Sequence, residues 1–233
     1  MFTGIVEHIG EIKSIDEGHG NTLYTITNAS PILGDCHLGD SIAVNGVCLT
    51  VTAFNSEEFT VGVSSETFRR TDLQQLQVGS PVNLERAMSS TSTTRFGGHY
   101  VQGHVDGTAT ISSCVKDDDE SLLFTFKMDD PRFIRYVVEK GFICIDGTSL
   151  TVTEVDNSNA TFGIMMVVHT QQHVIMPQKK IGDSVNIEVD VSAKAIEKQV
   201  AIQLEGQLID ESSVISKLIK KYVEEKVEEV LKK

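Results

Sequence analysis

The groups in this sequence that could move protons or attack an electrophile are a few thiols, hydroxyls and imidazoles: Cys48 and Thr50, Ser149 and Thr151, His99, His104 and His169. In the right surroundings such groups act as general acids, bases or nucleophiles. By type alone each has a blander reading. Cys48 suits a small core position, and Thr50, Ser149 and Thr151 are ordinary outward positions of half-buried strands. His169, in VVHT, could be a satisfied core histidine or line a pocket. His99 and His104 lie five apart, which puts them on opposite faces of a regular strand, so no metal site is expected. Cys36, Cys48, Cys114 and Cys144 lack the close spacing of a zinc or thioredoxin-like motif and read as free thiols in a reducing compartment. The sequons at Asn28 and Asn159 read as chance matches.

The elements that must carry these groups occur twice. TGIVEHIGEI from Thr3 resembles QGHVDGTATI from Gln102, SIAVNGVCLTVT from Ser41 resembles FICIDGTSLTVT from Phe142, and VGSPVNLE from Val78 resembles IGDSVNIE from Ile181. The offsets are 99, 101 and 103 residues, the slow drift that short loop insertions produce. A whole domain of about 95 residues is therefore duplicated, longer than a solenoid or propeller unit. Each half reads as short β-branched runs separated by turn signals at Val44 to Gly46, Ile145 to Gly147 and Val155 to Asn159. In LTVT, Leu49 and Val51 should face one way and Thr50 and Thr52 the other. Six such runs per half predict a small closed barrel. PRFIRYVVEKG from Pro131 predicts a helix capped at Gly141, with a shorter counterpart between Ser30 and Gly39. From Ser212 apolar residues recur at three- and four-residue spacings among Lys and Glu, which predicts an amphipathic helix whose stripe packs on another subunit in oligomerisation, the alternative being one that folds back on its own barrels.

Composition narrows the function classes. A net charge of −13, no tryptophan and 6% aromatic residues argue against nucleic acid, including the basic stacking groove of an oligonucleotide-binding barrel. There is no apolar run near the ~18 residues of a membrane span. The N-terminal residues lack a secretory pattern, so a cytoplasmic location is expected.

The blocks MFTGIVE, NGVCLTVT, GGHYVQGHVDG and GFICIDGTSLTV, in this order within a duplicated chain, resemble riboflavin synthases of the trimeric, barrel-repeat type. The resemblance runs from residue 1 to about residue 192. It implies an all-β fold of two tandem six-stranded Greek-key barrels, residues 1–95 and 96–192, followed by a C-terminal helix in residues 193–233 at the position of a trimerising helix. It also implies one 6,7-dimethyl-8-ribityllumazine per barrel. The active site forms where the N-terminal barrel of one subunit faces the C-terminal barrel of a neighbour. A four-carbon unit passes between the two molecules to give riboflavin and 5-amino-6-(D-ribitylamino)uracil, without metal or cofactor.

Carried over position by position, the first half-site resembles Gly4, Ile5 and Val6, Ser41, Cys48, Leu49 and Thr50, with Gly62, Val63, Ser64, Ser65, Glu66 and Thr67. The second resembles Gly103, His104 and Val105, Lys140, Ser149, Leu150 and Thr151, with Met166, Val167, Val168, His169, Thr170 and Gln171. Phe2, His104 and Asp190 match positions implicated in catalysis. Ser149 and His104 are assigned to proton transfer or to positioning a nucleophilic water, Cys48 and Thr50 to shaping the partner site, and Lys140 to anchoring ring or ribityl oxygens. In many family members a proline precedes the counterpart of His169; here it is Val168. The rival is a lumazine or flavin carrier of the same duplicated fold, such as a bioluminescence antenna protein. Two complete sets of half-site residues favour the enzyme.

Overall fold

The computed structural model describes residues 1–18, 22–89 and 95–232. These residues form two compact units, one from Met1 to Val191 and one from Ser192 onward. In the first unit, strands β1 (His8–Glu17), β2 (Thr22–Thr27), β3 (Ser41–Val44), β4 (Val47–Phe54), β5 (Phe59–Val63) and β6 (Pro81–Arg86) close a barrel in the order β1-β2-β5-β4-β3-β6. Strands β7 (Gly107–Lys116), β8 (Leu122–Met128), β9 (Phe142–Ile145), β10 (Thr148–Asp156), β11 (Thr161–Met166) and β12 (Ser184–Val189) close a second barrel with the same antiparallel Greek-key connectivity.

The duplication extends to the irregularities. Bulges fall between Ile12 and Ser14 in β1 and between Ile111 and Ser113 in β7, then between Val51 and Ala53 in β4 and between Val152 and Glu154 in β10. They bend the strands at the corners of each barrel. The β3–β4 and β9–β10 hairpins turn through Asn45 and Gly46 (φ 46° and 78°) and through Asp146 and Gly147 (φ 45° and 80°). Positive φ at both central residues is what a tight hairpin turn needs, hence Asn-Gly and Asp-Gly. Leu49 and Val51 are buried and Thr50 and Thr52 exposed, as the alternation predicts.

The expected helix from Pro131 is only a 3-10 segment, Pro131–Tyr136, opened by the Asp130 side chain accepting from the Arg132 N–H. Val137 is buried in the second core, and the chain must turn back at once into β9, so the helix cannot reach Gly141. Its counterpart is a single 3-10 turn, Ser30–Ile32. Two short helices follow β5 and β11: α1 (Ser65–Arg70) and α2 (Val168–Gln171). The tail holds two helices rather than one, α3 (Val191–Ile209) and α4 (Val214–Leu231). The apolar residues of α3, among them Ile196, Val200, Ile202 and Leu208, are spread round its circumference, so no stripe announces it in the sequence.

Candidate active site

The barrels meet about an approximate two-fold axis. The two Gly turns touch there, and a Cβ on Gly46 would come 2.6 Å from the Gly147 nitrogen. Asn83 donates its side-chain amide to the Asp146 carbonyl at 2.8 Å, and Asn186 donates to the Asn45 carbonyl at 2.9 Å, each reaching into the opposite barrel. Phe2 is fully buried at this seam and bridges Val101 with paired backbone hydrogen bonds of 2.7 and 3.1 Å. It packs with Ala43, Val101 and Cys144, so it supports Cys48 rather than facing solvent.

One buried cluster breaks the symmetry. Lys179 Nζ lies 2.7 Å from Asp146 and 3.1 Å from Asp72, and donates to the Ser184 carbonyl at 2.7 Å. The two carboxylates hold the Lys179 ammonium charged well above its ordinary range. By the repeat offsets, the corresponding residues of the other half are Leu76, Asn45 and Ile175.

Next to the seam the chain exchanges two segments. Ser149 of β10 donates its N–H to the Gly4 carbonyl at 2.7 Å, and Cys48 of β4 donates to the Gly103 carbonyl at 2.9 Å. Both glycines have left-handed φ, 75° and 77°, and a Cβ on either would come within 2.6 Å of the facing side chain. Glu85 accepts from the Thr3 N–H (2.6 Å), the Thr3 hydroxyl (2.8 Å) and the Gly4 N–H (3.0 Å). Glu188 does the same for Gln102 (2.6 Å) and His104 (2.7 Å). Burial outweighs the three donors and pushes the Glu85 carboxyl up to about 7. Val6 packs on the core of the second barrel and Val105 on that of the first. Gly4, Ile5 and Val6 therefore lie with Ser149, and Gly103, His104 and Val105 with Cys48. This reverses the grouping expected from the sequence, because the leading segment of each half crosses the seam.

At Ser149 the structure completes a pair that sequence reasoning missed. The Ser149 Oγ lies 2.6 Å from Nδ1 of His99. His99 is 6% exposed, donates its backbone N–H to the Thr3 carbonyl at 3.1 Å and stacks on Phe142 with ring centres 5.1 Å apart. Burial lowers the His99 pKa, and the Asp190 carboxylate pulls weakly the other way. The imidazole is thus neutral at neutral pH and able to take a hydroxyl proton. His104, expected in this role, is exposed and lies with Cys48 instead. In the sequence His99 stands out only as half of an apparent metal pair, and nothing at a separation of 50 residues links it to Ser149.

The two half-sites share a backbone and differ in chemistry. Through the repeat offsets, Cys48 stands where Ser149 does, Ala87 for Asp190, Ser41 for Phe142 and Gly39 for Lys140. Ser41 pairs in register with Thr50. Lys140 and Gly39 each donate an N–H at 2.9 Å to the same strand position, Val152 and Val51, with φ of 64° and 91°. A lysine in the left-handed region costs about 1–2 kcal/mol relative to the right-handed one, a cost that glycine at the matching position of the first barrel avoids.

A short helix follows the fifth strand of each barrel, in the two segments expected from the sequence to flank the half-sites. Ser64 caps α1 by accepting from the Thr67 N–H, next to Gly62, Val63 and Ser65. The Glu66 carboxylate is held down to about 2 by Arg69 and Arg70, so it forms an ion-paired face of α1. In the second barrel, Gln171 donates to the Met166 carbonyl at 2.8 Å and fastens α2 back onto β11. Val168 stands at the first helical position, which proline favours, so the departure from proline leaves the backbone path intact. His169 and Val167 are exposed, and Thr170 is half-buried. Leu150 and Thr151 continue β10 with the expected inward and outward faces.

The lumazine binding domain family matches residues 3–87 and again 102–190. A riboflavin synthase of Saccharomyces cerevisiae is 51% identical over the full length of both chains. The chain belongs to the riboflavin synthase family. A riboflavin synthase of Schizosaccharomyces pombe is 53% identical across 86% of this chain and 94% of that protein, and one of Bacillus subtilis is 46% identical across 83% and 87%. Among solved structures, LumP complexed with 6,7-dimethyl-8-(1'-D-ribityl) lumazine is similar, with a TM-score of 0.71 at 25% identity, over 82% of this chain and 99% of that one. Full-length identity to riboflavin synthases favours the enzyme over a carrier. No helix among the described residues is long and apolar enough to cross a membrane.

Proposed function

We propose that this chain dismutes two molecules of 6,7-dimethyl-8-ribityllumazine into riboflavin and 5-amino-6-(D-ribitylamino)uracil, one molecule held at each half-site. The observation that carries the assignment of roles is the Ser149–His99 pair, with Asp190 acting on it, opposite a half-site that offers Cys48 and Ala87 in the same places. The Ser149 side takes the proton from the 7-methyl group of its lumazine, through the Ser149 hydroxyl to neutral His99. The Cys48 and Thr50 side shapes the pocket of the molecule whose carbon 7 is attacked. Lys140 anchors ring or ribityl oxygens. One molecule gives a four-carbon unit that the other accepts, so no outside oxidant or reductant enters the balance.

Two barrels related by an approximate two-fold suit two identical substrates that must meet head to tail, where orientation can contribute on the order of 7–11 kcal/mol. Ile5, Phe142 and Val167 leave apolar surface open at the half-sites within one chain. A neighbouring subunit of a homotrimer covers it and brings the N-terminal barrel of one chain onto the C-terminal barrel of the next, in the cytoplasm. The test is to incubate purified protein with 6,7-dimethyl-8-ribityllumazine and follow absorbance and chromatography. One riboflavin formed for every two lumazines consumed supports the reading. Bound but unconsumed lumazine would refute it and favour the carrier.

A further inference from the structure

Helix α4 lies outside the segments that match the lumazine binding domain, which end at residue 190. Most of its charges are arranged against its own interest, the Glu228–Lys232 pair at 3.2 Å being the exception. The first turn holds no acid and the last turn no base. Instead Lys217 falls near the start and Glu228 near the end, the reverse of what the helix dipole favours. The Lys-before-Glu order at four-residue spacing, as in Lys221 and Glu225 at 3.9 Å, is also the weaker orientation for a lone helix. Meanwhile Leu218, Ile219, Tyr222, Val223 and Val227 are each 47–61% exposed.

About the point between Tyr222 and Val223 the helix is a mirror of itself with the charge inverted. Lys221 matches Glu224, Lys220 matches Glu225 and Lys217 matches Glu228, while Leu218 matches Val227 and Val214 matches Leu231. Two pairs depart from the pattern, Ser216 with Glu229 and Ile219 with Lys226, yet Lys226 lies over the Tyr222 ring at 5.8 Å, which keeps its stem along the stripe. A sequence of this kind is self-complementary under a two-fold axis perpendicular to the helix. Antiparallel pairing sets the basic half of one helix against the acidic half of the other and opposes their dipoles. Parallel pairing in register sets like charge against like.

We propose that α4 pairs antiparallel with α4 of a second copy of this chain, centred on Tyr222 and Val223. The contact thereby doubles whatever assembly the rest of the chain forms.

Sedimentation of the full-length protein tests this. Wild type should run at twice the mass of Lys220→Glu/Lys221→Glu and of Glu224→Lys/Glu225→Lys, because each variant gives the four central charges, at positions 220, 221, 224 and 225, a single sign, so that two antiparallel copies repel there. An equimolar mixture of the two variants should recover the doubled mass, which a merely unfolded helix could not do. Orientation is read by disulfide formation. Ile219→Cys mixed with Lys226→Cys should cross-link, while Ile219→Cys alone should not, since the two copies of residue 219 would stand about 10 Å apart along the axis. Equal masses for wild type and both variants, failure of the mixture to recover, or self-cross-linking of Ile219→Cys would overturn the proposal.

Discussion

Replacing Lys179 by methionine tests what holds the two barrels in register. The substitution keeps most of the side-chain volume and removes the cation that sits 2.7 Å from Asp146 and 3.1 Å from Asp72. Lys179, Asp146 and Asp72 retain side-chain exposures of only 16%, 0% and 5%, so water cannot compensate the two carboxylates. Breaking a buried ion cluster by removing one partner costs about 3–5 kcal/mol. For the 191-residue unit that holds both barrels, an unfolding entropy of about 2.1 cal/mol/K per residue amounts to about 0.4 kcal/mol/K, and the melting temperature should fall by about 7–12 °C. The triple change Lys179→Leu, Asp72→Ile and Asp146→Asn installs the residues that the other half already uses at these positions. It should melt at or above wild type, since a buried ion cluster replaced whole by matched neutral groups loses little. Differential scanning calorimetry at neutral pH reads both. A single variant within about 2 °C of wild type, or a triple variant as unstable as the single one, would refute the reasoning.

His99→Gln should lower kcat by about 10²–10⁴ and abolish the acid limb of the pH–rate profile, because protonation of His99 below its depressed pKa removes the base; an unchanged profile would place the base elsewhere. Lys140→Gly should leave the melting temperature nearly unchanged, as relief of left-handed strain offsets the extra freedom of glycine in the unfolded chain, while KM for the lumazine rises. Equal KM would remove Lys140 from the site. Glu85, with its folded pKa raised to about 7 above an ordinary value of 4.5, binds its proton more tightly folded than unfolded. It therefore favours the fold most at acid pH and loses that contribution as pH rises from about 4.5 to about 7. The difference in stability between wild type and Glu85→Gln across that window should slope accordingly, and a flat difference would mean that the three donors, not burial, set its charge.

Much of this protein was legible in its residues because a duplicated domain states its design twice. The repeated blocks located the strands, the Asn-Gly and Asp-Gly turns named the hairpins, and the alternation in LTVT sorted core from surface, all local properties of a backbone with period two. The repeated VNLE and VNIE blocks also carry Glu85 and Glu188, a signal for the two carboxylates that hold the crossing segments. The α3 helix stayed hidden for want of an apolar stripe, and the segment after Pro131 was overridden by Val137 turning into the core. The active-site grouping lay beyond any local pattern. That Gly4 belongs with Ser149, that Gly103 belongs with Cys48, that His99 rather than His104 meets the Ser149 hydroxyl, and that Lys179 joins acids from both barrels are contacts made across a seam between distant segments. The sequence by itself determined two barrels and their matching positions. Which positions touch was decided only when the barrels docked about their shared axis, because that docking buries the crossing segments and selects partners by space rather than by order along the chain.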